Sequence, residues 1–132
     1  MKEPINVLLI EDNPGDVRLV ETVLNESQEP KINLFVVDNL ARGLKYIAAE
    51  SIQVVLLDLN LPDSQGIQTF QKTHKFAMKL PIVVMSIISD KELIYQAMKE
   101  GAHDYVIKGQ IQHDGIIRAI RYAIWSYHKR EE

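Results

Sequence analysis

The sequence predicts a doubly wound α/β domain: five parallel strands in the order 2-1-3-4-5, with helices on both faces. Three observations carry this. Five short apolar runs rich in β-branched residues recur along the chain: Val7 to Ile10, Ile32 to Val37, Val54 to Leu57, Ile82 to Met85 and Tyr105 to Ile107. The gaps between them are long and show helical spacing. Repeated strand-helix alternation is the pattern of a parallel sheet covered on both sides.

The elements follow in order. Val7-Leu8-Leu9-Ile10 is apolar throughout, as a central strand requires. Pro14-Gly15-Asp16 opens a helix with Val17, Val20 and Leu24 at i, i+3 and i+7. The second run, with Lys31 and Asn33, suits a sheet edge. Asn39 is placed to cap a second helix carrying Leu40, Leu44 and Ile47. Val54-Val55-Leu56-Leu57 is again apolar throughout and central. The gap from Ser64 to Met78 is poor in apolar residues and gives the weakest helical signal. Asp90 is placed to cap a fourth helix, with Leu93, Ala97 and Met98 inward and Gly101 closing it. Asp104 beside the fifth run suits the other edge. Ile116, Ile120, Ala123 and Tyr127 mark one face of the last helix. With right-handed crossovers, this is the flavodoxin-like arrangement.

A chain of 132 residues reads as one domain, 1–132. A (β/α)₈ barrel, at about 250 residues, does not fit. Fifteen Lys+Arg against 18 Asp+Glu give a charge of −3, a poor match for nucleic acid, so no direct nucleic-acid contact is expected. No apolar stretch approaches the roughly 18–20 residues of a membrane span, and Met1-Lys2-Glu3-Pro4 starts no signal-peptide core. No membrane association is expected. The absence of cysteine excludes disulfides, thiolate metal sites and a Cys nucleophile, and agrees with a cytoplasmic location.

In an open α/β sheet, ligands bind beyond the carboxyl ends of the strands, where the winding reverses. The residues following the runs are therefore informative: Glu11-Asp12, Asp58, Ser86 and Lys108. Two carboxylates about 4 Å apart repel by roughly 4 kcal/mol at an effective dielectric of 20, and one lysine cannot neutralise three. A hard divalent cation is implied; all-oxygen ligation favours Mg²⁺, with Mn²⁺ as the alternative. Metal, ammonium and hydroxyl together are equipment for phosphoryl transfer. A carboxylate can itself be the nucleophile, and Asp58 is the best placed. A single Asp after a strand is more often a cap or a solvated turn. The convergence after four of five strands carries the inference.

The chain resembles the receiver (response-regulator) domain of two-component signalling over nearly its whole length. The matching stretches are Val7 to Pro14, Leu57 to Asp63 with Gly66, Pro81 to Ser86, and Gly101 to Lys108. The resemblance implies that Asp58 is the phosphoacceptor, charged by a sensor histidine kinase or phosphotransfer protein. It implies Mg²⁺ ligation by Asp12 and Asp58, by Glu11 directly or through water, and by the backbone carbonyl of Asn60. Ser86 matches the hydroxyl that bonds the new phosphoryl group, Lys108 the lysine that pairs with it, and Tyr105 the aromatic that turns inward as Ser86 moves. Homodimerisation through the last strand-helix face is a further expectation. Two positions depart from the family pattern. Ile87 stands where a small residue is usual and is expected to narrow access to Asp58, and Gly109 stands where proline is frequent.

Other readings fit less well. A haloacid-dehalogenase-type phosphatase wants Asp-x-Asp, and Asp58-Leu59-Asn60 has Asn at the second position. A nucleotide or flavin module needs a Gly- or Ser/Thr-rich loop where Glu11-Asp12-Asn13 would repel phosphate. A pseudo-receiver adaptor has only Ile87 in its favour. No independent substrate turnover is expected, and no output module follows the last helix, so the chain is expected either to dock to a partner or to belong to a larger architecture. His74, His103, His113 and His128 lack metal-ligand spacing. Met78, Met85 and Met98 read as core or gap fillers, Trp125 as partly buried, and His128-Lys129-Arg130 as a solvated helix end.

Overall fold

The computed structural model describes residues 3–131, apart from the side chains of residue 113 and residues 129–131. Five strands form one sheet: β1 (Ile5–Ile10), β2 (Ile32–Val37), β3 (Val54–Asp58), β4 (Ile82–Ser86) and β5 (Asp104–Ile107). All pair in parallel, in the order β2-β1-β3-β4-β5. The predicted order is the observed one. β3 and β4 are buried at every residue, and β2 and β5 lie at the edges with partly exposed side chains. A short antiparallel hairpin, Asn60–Leu61 with Ser64–Gln65, follows β3.

Five helices cover the sheet: α1 (Pro14–Asn25), α2 (Leu40–Ala49), α3 (Ile67–Phe76), α4 (Lys91–Lys99) and α5 (His113–Glu131). Two apolar cores result. Val20, Val23 and Leu24 of α1 meet Ile116, Ile120 and Ala123 of α5 over alternate residues of β1 and β3. Leu40, Phe70 and Ala97 of α2, α3 and α4 fill the other side. No described helix is long and apolar enough to cross a membrane.

Local chemistry fixes the helix ends. Asn13 caps α1, its Oδ1 accepting from the Asp16 N–H at 3.0 Å, with Pro14 in the first turn. Asn39 caps α2 as expected, accepting from Arg42 N–H at 2.9 Å. Asp63 adds two bonds there, from Leu40 N–H at 2.8 Å and Ala41 N–H at 3.0 Å.

The helical signal of α3 was weak because threonines occupy its inward face. Thr69 and Thr73 are buried with Phe70, and the Thr73 hydroxyl donates to the Thr69 carbonyl at 2.8 Å. α4 ends in a Schellman turn. Ala102 N–H reaches Ala97 O at 2.9 Å, Gly101 N–H reaches Met98 O at 3.2 Å, and Gly101 sits at φ 122°.

On α4, Leu93 and Met98 pack against the core beside buried Ala97 as expected, and Ile94 is buried as well. Three expectations need correction. Asp90 stands at the N-terminus of α4 but its side chain makes no capping bond. Met78 is 73% exposed in the turn after α3, and Trp125 is 59% exposed, tilted against Tyr122 with ring centroids 5.9 Å apart. Trp125 is thus a surface residue of α5. The side chains of His113, Lys129 and Arg130 lie outside the described residues.

Candidate functional site

The carboxyl ends of β1, β3, β4 and β5 share one rim, and the parallel register decides what meets there. Ile10 pairs with Leu57, Asp58 with Met85 and Ser86 with Ile107. Glu11 and Asp58 therefore emerge level with each other, Ser86 one residue further on and Lys108 two, across four strands. Glu11 N–H also extends the ladder to Val37 O at 3.0 Å, and Lys108 N–H to Ser86 O at 2.8 Å.

One carboxylate oxygen each from Glu11, Asp12 and Asp58 lies within 4.8 Å of the other two. Glu11 and Asp58 are buried and Asp12 is exposed. Lys108 Nζ stands 2.8 Å from Glu11 Oε1, 3.1 Å from Asp58 Oδ2 and 3.3 Å from Asp16 Oδ2. Backbone donors hold the remaining oxygens: Asn13 N–H reaches Glu11 Oε2 at 3.1 Å, and Asn60 N–H reaches Asp58 Oδ1 at 3.1 Å. Of the seven sequence-predicted residues, the structure draws Glu11, Asp12, Asp58, Lys108 and the Asn60 backbone together, turns the Ser86 hydroxyl to Asp90, and leaves Tyr105 lower on the edge strand. Tyr105 pairs with Val84 and is 45% exposed, so its ring faces outward here.

The electrostatics are those of an anionic pocket short of cations. Burial, reinforced by the neighbouring Asp58 carboxyl, pushes Glu11 up to about 7 in spite of Lys108. Burial also works against the Lys108 ammonium, yet the bond to Glu11 and the charges of Asp58 and Glu11 hold its pKa above the ordinary lysine value. Glu11, Asp58 and Asp16 share one ammonium, and a fourth carboxylate, Asp12, faces solvent beside them. The donor set is entirely oxygen and fits a hard divalent ion.

Two participants were not foreseen. Asp16, one helical turn after Asp12, supplies the third oxygen near Lys108. The i, i+4 spacing of Asp12 and Asp16 could have revealed it, since α1 starts between them. Asp90 Oδ2 accepts a bond from the Ser86 hydroxyl at 3.2 Å. Sequence gave Asp90 a capping role, and only the bend from β4 into the 3₁₀ turn Ile88–Asp90 turns it back toward Ser86. Gly109 has φ 87°, a conformation closed to proline, whose ring fixes φ near −65°, which accounts for its departure from the family pattern.

The response regulator receiver domain family model matches residues 7–121. The chain belongs to that family. Among curated relatives of this receiver domain, the nitrate/nitrite response regulator protein NarL of Escherichia coli is 30% identical over 125 residues, covering 92% of this chain and 56% of that protein. A probable C4-dicarboxylate response regulator of Bacillus subtilis, DctR, is 33% identical over 102 residues, covering 77% of this chain and 45% of that protein. The chain thus spans about half the length of the curated relatives it matches. Among solved structures, the signal receiver domain of an HD domain-containing protein from Pseudomonas fluorescens superposes with TM-score 0.83 at 17% identity, covering 99% of this chain and 94% of that one. A CheY-like receiver domain protein from Methanospirillum hungatei gives 0.80 at 18% identity, covering 97% and 99%. At these identities the structures speak to the fold alone.

Proposed function

We propose that this receiver domain, spanning 1–132 as a single unit, is a phosphorylation-dependent switch with Asp58 as phosphoacceptor. The observation that carries the reading is the place of Asp58, buried on the rim between Glu11 and Lys108, with one oxygen on the Lys108 ammonium. An Asp58 oxygen attacks the phosphorus of a phosphohistidine on a partner histidine kinase or phosphotransfer protein. The N–P bond breaks, its electron pair returns to the imidazole, and an acyl phosphate forms on Asp58.

Glu11, Asp12, Asp58 and the backbone carbonyl of Asn60 would hold Mg²⁺, or Mn²⁺ in its place. Bound there, the ion supplies charge neutralisation for the phosphoryl oxygens. Lys108 shifts part of its pairing from the carboxylates to the new phosphoryl group. The Ser86 hydroxyl turns to donate to a phosphoryl oxygen, and the space it leaves admits the Tyr105 ring. A coupling of about 1–3 kcal/mol is ordinary for such switches and suffices to change a partner's affinity. The β5–α5 face, where Tyr105, Tyr122 and Trp125 are exposed, is the surface for homodimerisation or for a downstream partner. The site acts in a cytoplasmic signalling chain, with any loss of the phosphoryl group a self-limiting step rather than turnover of an independent substrate.

The test is direct. With a small acyl-phosphate donor and Mg²⁺, intact-mass spectrometry should show the gain of one phosphoryl group, absent in Asp58→Asn. No gain in the wild-type chain, or an equal gain in the variant, defeats the reading.

A further inference from the structure

A hydroxyl has one hydrogen to donate, and in this structure Ser86 spends it on Asp90. Ser86 Oγ lies 3.2 Å from Asp90 Oδ2, and Ser86 is otherwise buried at the end of β4. Asp90 occupies the position from which Asp ordinarily caps a helix, yet its carboxylate makes no bond to the N–H groups of α4. Asp90 ends the 3₁₀ turn that runs into α4, with φ −100° and ψ 29° in place of the extended backbone of a cap, so its carboxylate is turned away from the α4 N–H groups and left to the Ser86 hydroxyl. The intervening residues, Ile87, Ile88 and Ser89, are exposed, while Ser86 itself is buried.

We propose that Asp90 is a positioning residue that withholds the Ser86 hydroxyl from the Asp58 site and so sets the balance between the resting and phosphoryl-responsive arrangements. The inference rests on the reading of Asp58 given above and extends it to a group four residues beyond Ser86. In the resting chain the hydroxyl hydrogen points to Asp90. Once a phosphoryl group sits on Asp58, its oxygens compete for the same hydrogen. The strength of the Ser86–Asp90 bond is then subtracted from the affinity for the modified state.

The experiment uses the full chain, with Mg²⁺ and beryllofluoride as a phosphoryl mimic, and measures mimic affinity by NMR titration. Asp90→Ala should tighten mimic binding about threefold or more, the scale of one net hydrogen bond. Asp90→Asn, which keeps the shape but weakens the acceptor, should give a smaller gain and guards against misfolding of the alanine variant. In a Ser86→Ala background the effect of either Asp90 change should vanish, which a merely structural role would not produce. An unchanged affinity in Asp90→Ala, or a gain that persists without the Ser86 hydroxyl, overturns the proposal.

A second readout needs no mimic. The χ1 angle of Ser86, from side-chain couplings in the unmodified chain, should be held in one rotamer in the wild type and averaged in Asp90→Ala. A rotamer population indifferent to Asp90 counts against it. If beryllofluoride fails to bind the wild-type chain at all, the Asp58 reading fails, while the rotamer measurement still decides the role of Asp90.

Discussion

At one end of the carboxyl rim, Glu11 and Asp58 are nearly inaccessible and share one ammonium with Asp16, with backbone N–H groups holding both carboxylates. At the other end, Ile87 is 50% and Ile88 59% exposed, Tyr105 faces solvent, and a side-chain bond ties Ser86 to Asp90 at the end of the 3₁₀ turn. Both ends grow from neighbouring strands of the same sheet. The first is fixed by charges that would be costly to separate. The second is held by little more than a short 3₁₀ turn and exposed apolar side chains. A charge added at the fixed end therefore has its cheapest outlet in rearranging the loose end.

The largest expected effect comes from breaking the fixed end. Lys108→Met leaves Glu11 and Asp58 buried without their cation and should cost about 3 kcal/mol in urea denaturation at pH 8. The loss should shrink as the pH falls toward about 7, because Glu11 takes up its proton near that pH with Lys108 present and at a higher pH without it. Its folded value is raised, so its contribution is present at low pH and lost as pH rises. A loss independent of pH would mean that the three-way pairing is not what holds this end together.

Mg²⁺ sharpens the comparison next. At ten times its dissociation constant it should raise stability by about 1.4 kcal/mol, reversed by a chelator. Asp12→Asn should remove most of that increment, whereas Ile88→Ala at the loose end should leave it intact. Equal loss in both would erase the distinction between the two ends.

Asp63 tests how far the fixed end extends, since it joins the loop after β3 to α2. Asp63→Ala should cost about 0.5–1 kcal/mol at neutral pH, the low end for a lost cap in a solvated position. Burial acts to raise the pKa of Asp63, and the Leu40 and Ala41 N–H groups more than offset it, so the folded value lies below the ordinary one. The stabilisation is therefore present above the ordinary carboxylate range and should fade as pH falls through the folded value.

The smallest effect on stability belongs to Ile87→Ala, within about 0.5 kcal/mol because half of the side chain already meets solvent. The same change should shorten the lifetime of the phosphoryl group on Asp58, measured by the decay of the modified mass. An unchanged half-life would show that Ile87 does not shield the site.

Local pattern made the strands, their edge or central places and most helices readable. Asn39 capped where its chemistry said, and Gly101 closed α4. The convergence of Glu11, Asp12, Asp58, Ser86 and Lys108 was also readable, because a parallel sheet brings the ends of its strands to one side. What escaped notice depends on contacts distant in the chain or on turn geometry. Asp63 reaches α2 across 23 residues, and no periodicity encodes that. Asp90 carries a good capping side chain, but the 3₁₀ turn that it ends leaves its backbone without the extended conformation of a cap. Met78 read as a core or gap filler and Trp125 as partly buried, and both lie at the surface, because apolarity alone does not say which side of a turn or helix meets solvent.

The pairing of Lys108 with Asp16 has one more consequence. The same nitrogen that touches the acceptor oxygen also grips the first turn of α1, on the side of the sheet away from α4. An ammonium drawn toward a newly doubly charged group relaxes its hold on Asp16. Under the proposed reading, a charge added at Asp58 would thus act on both layers of the fold from a single atom, once through β4 and once through α1.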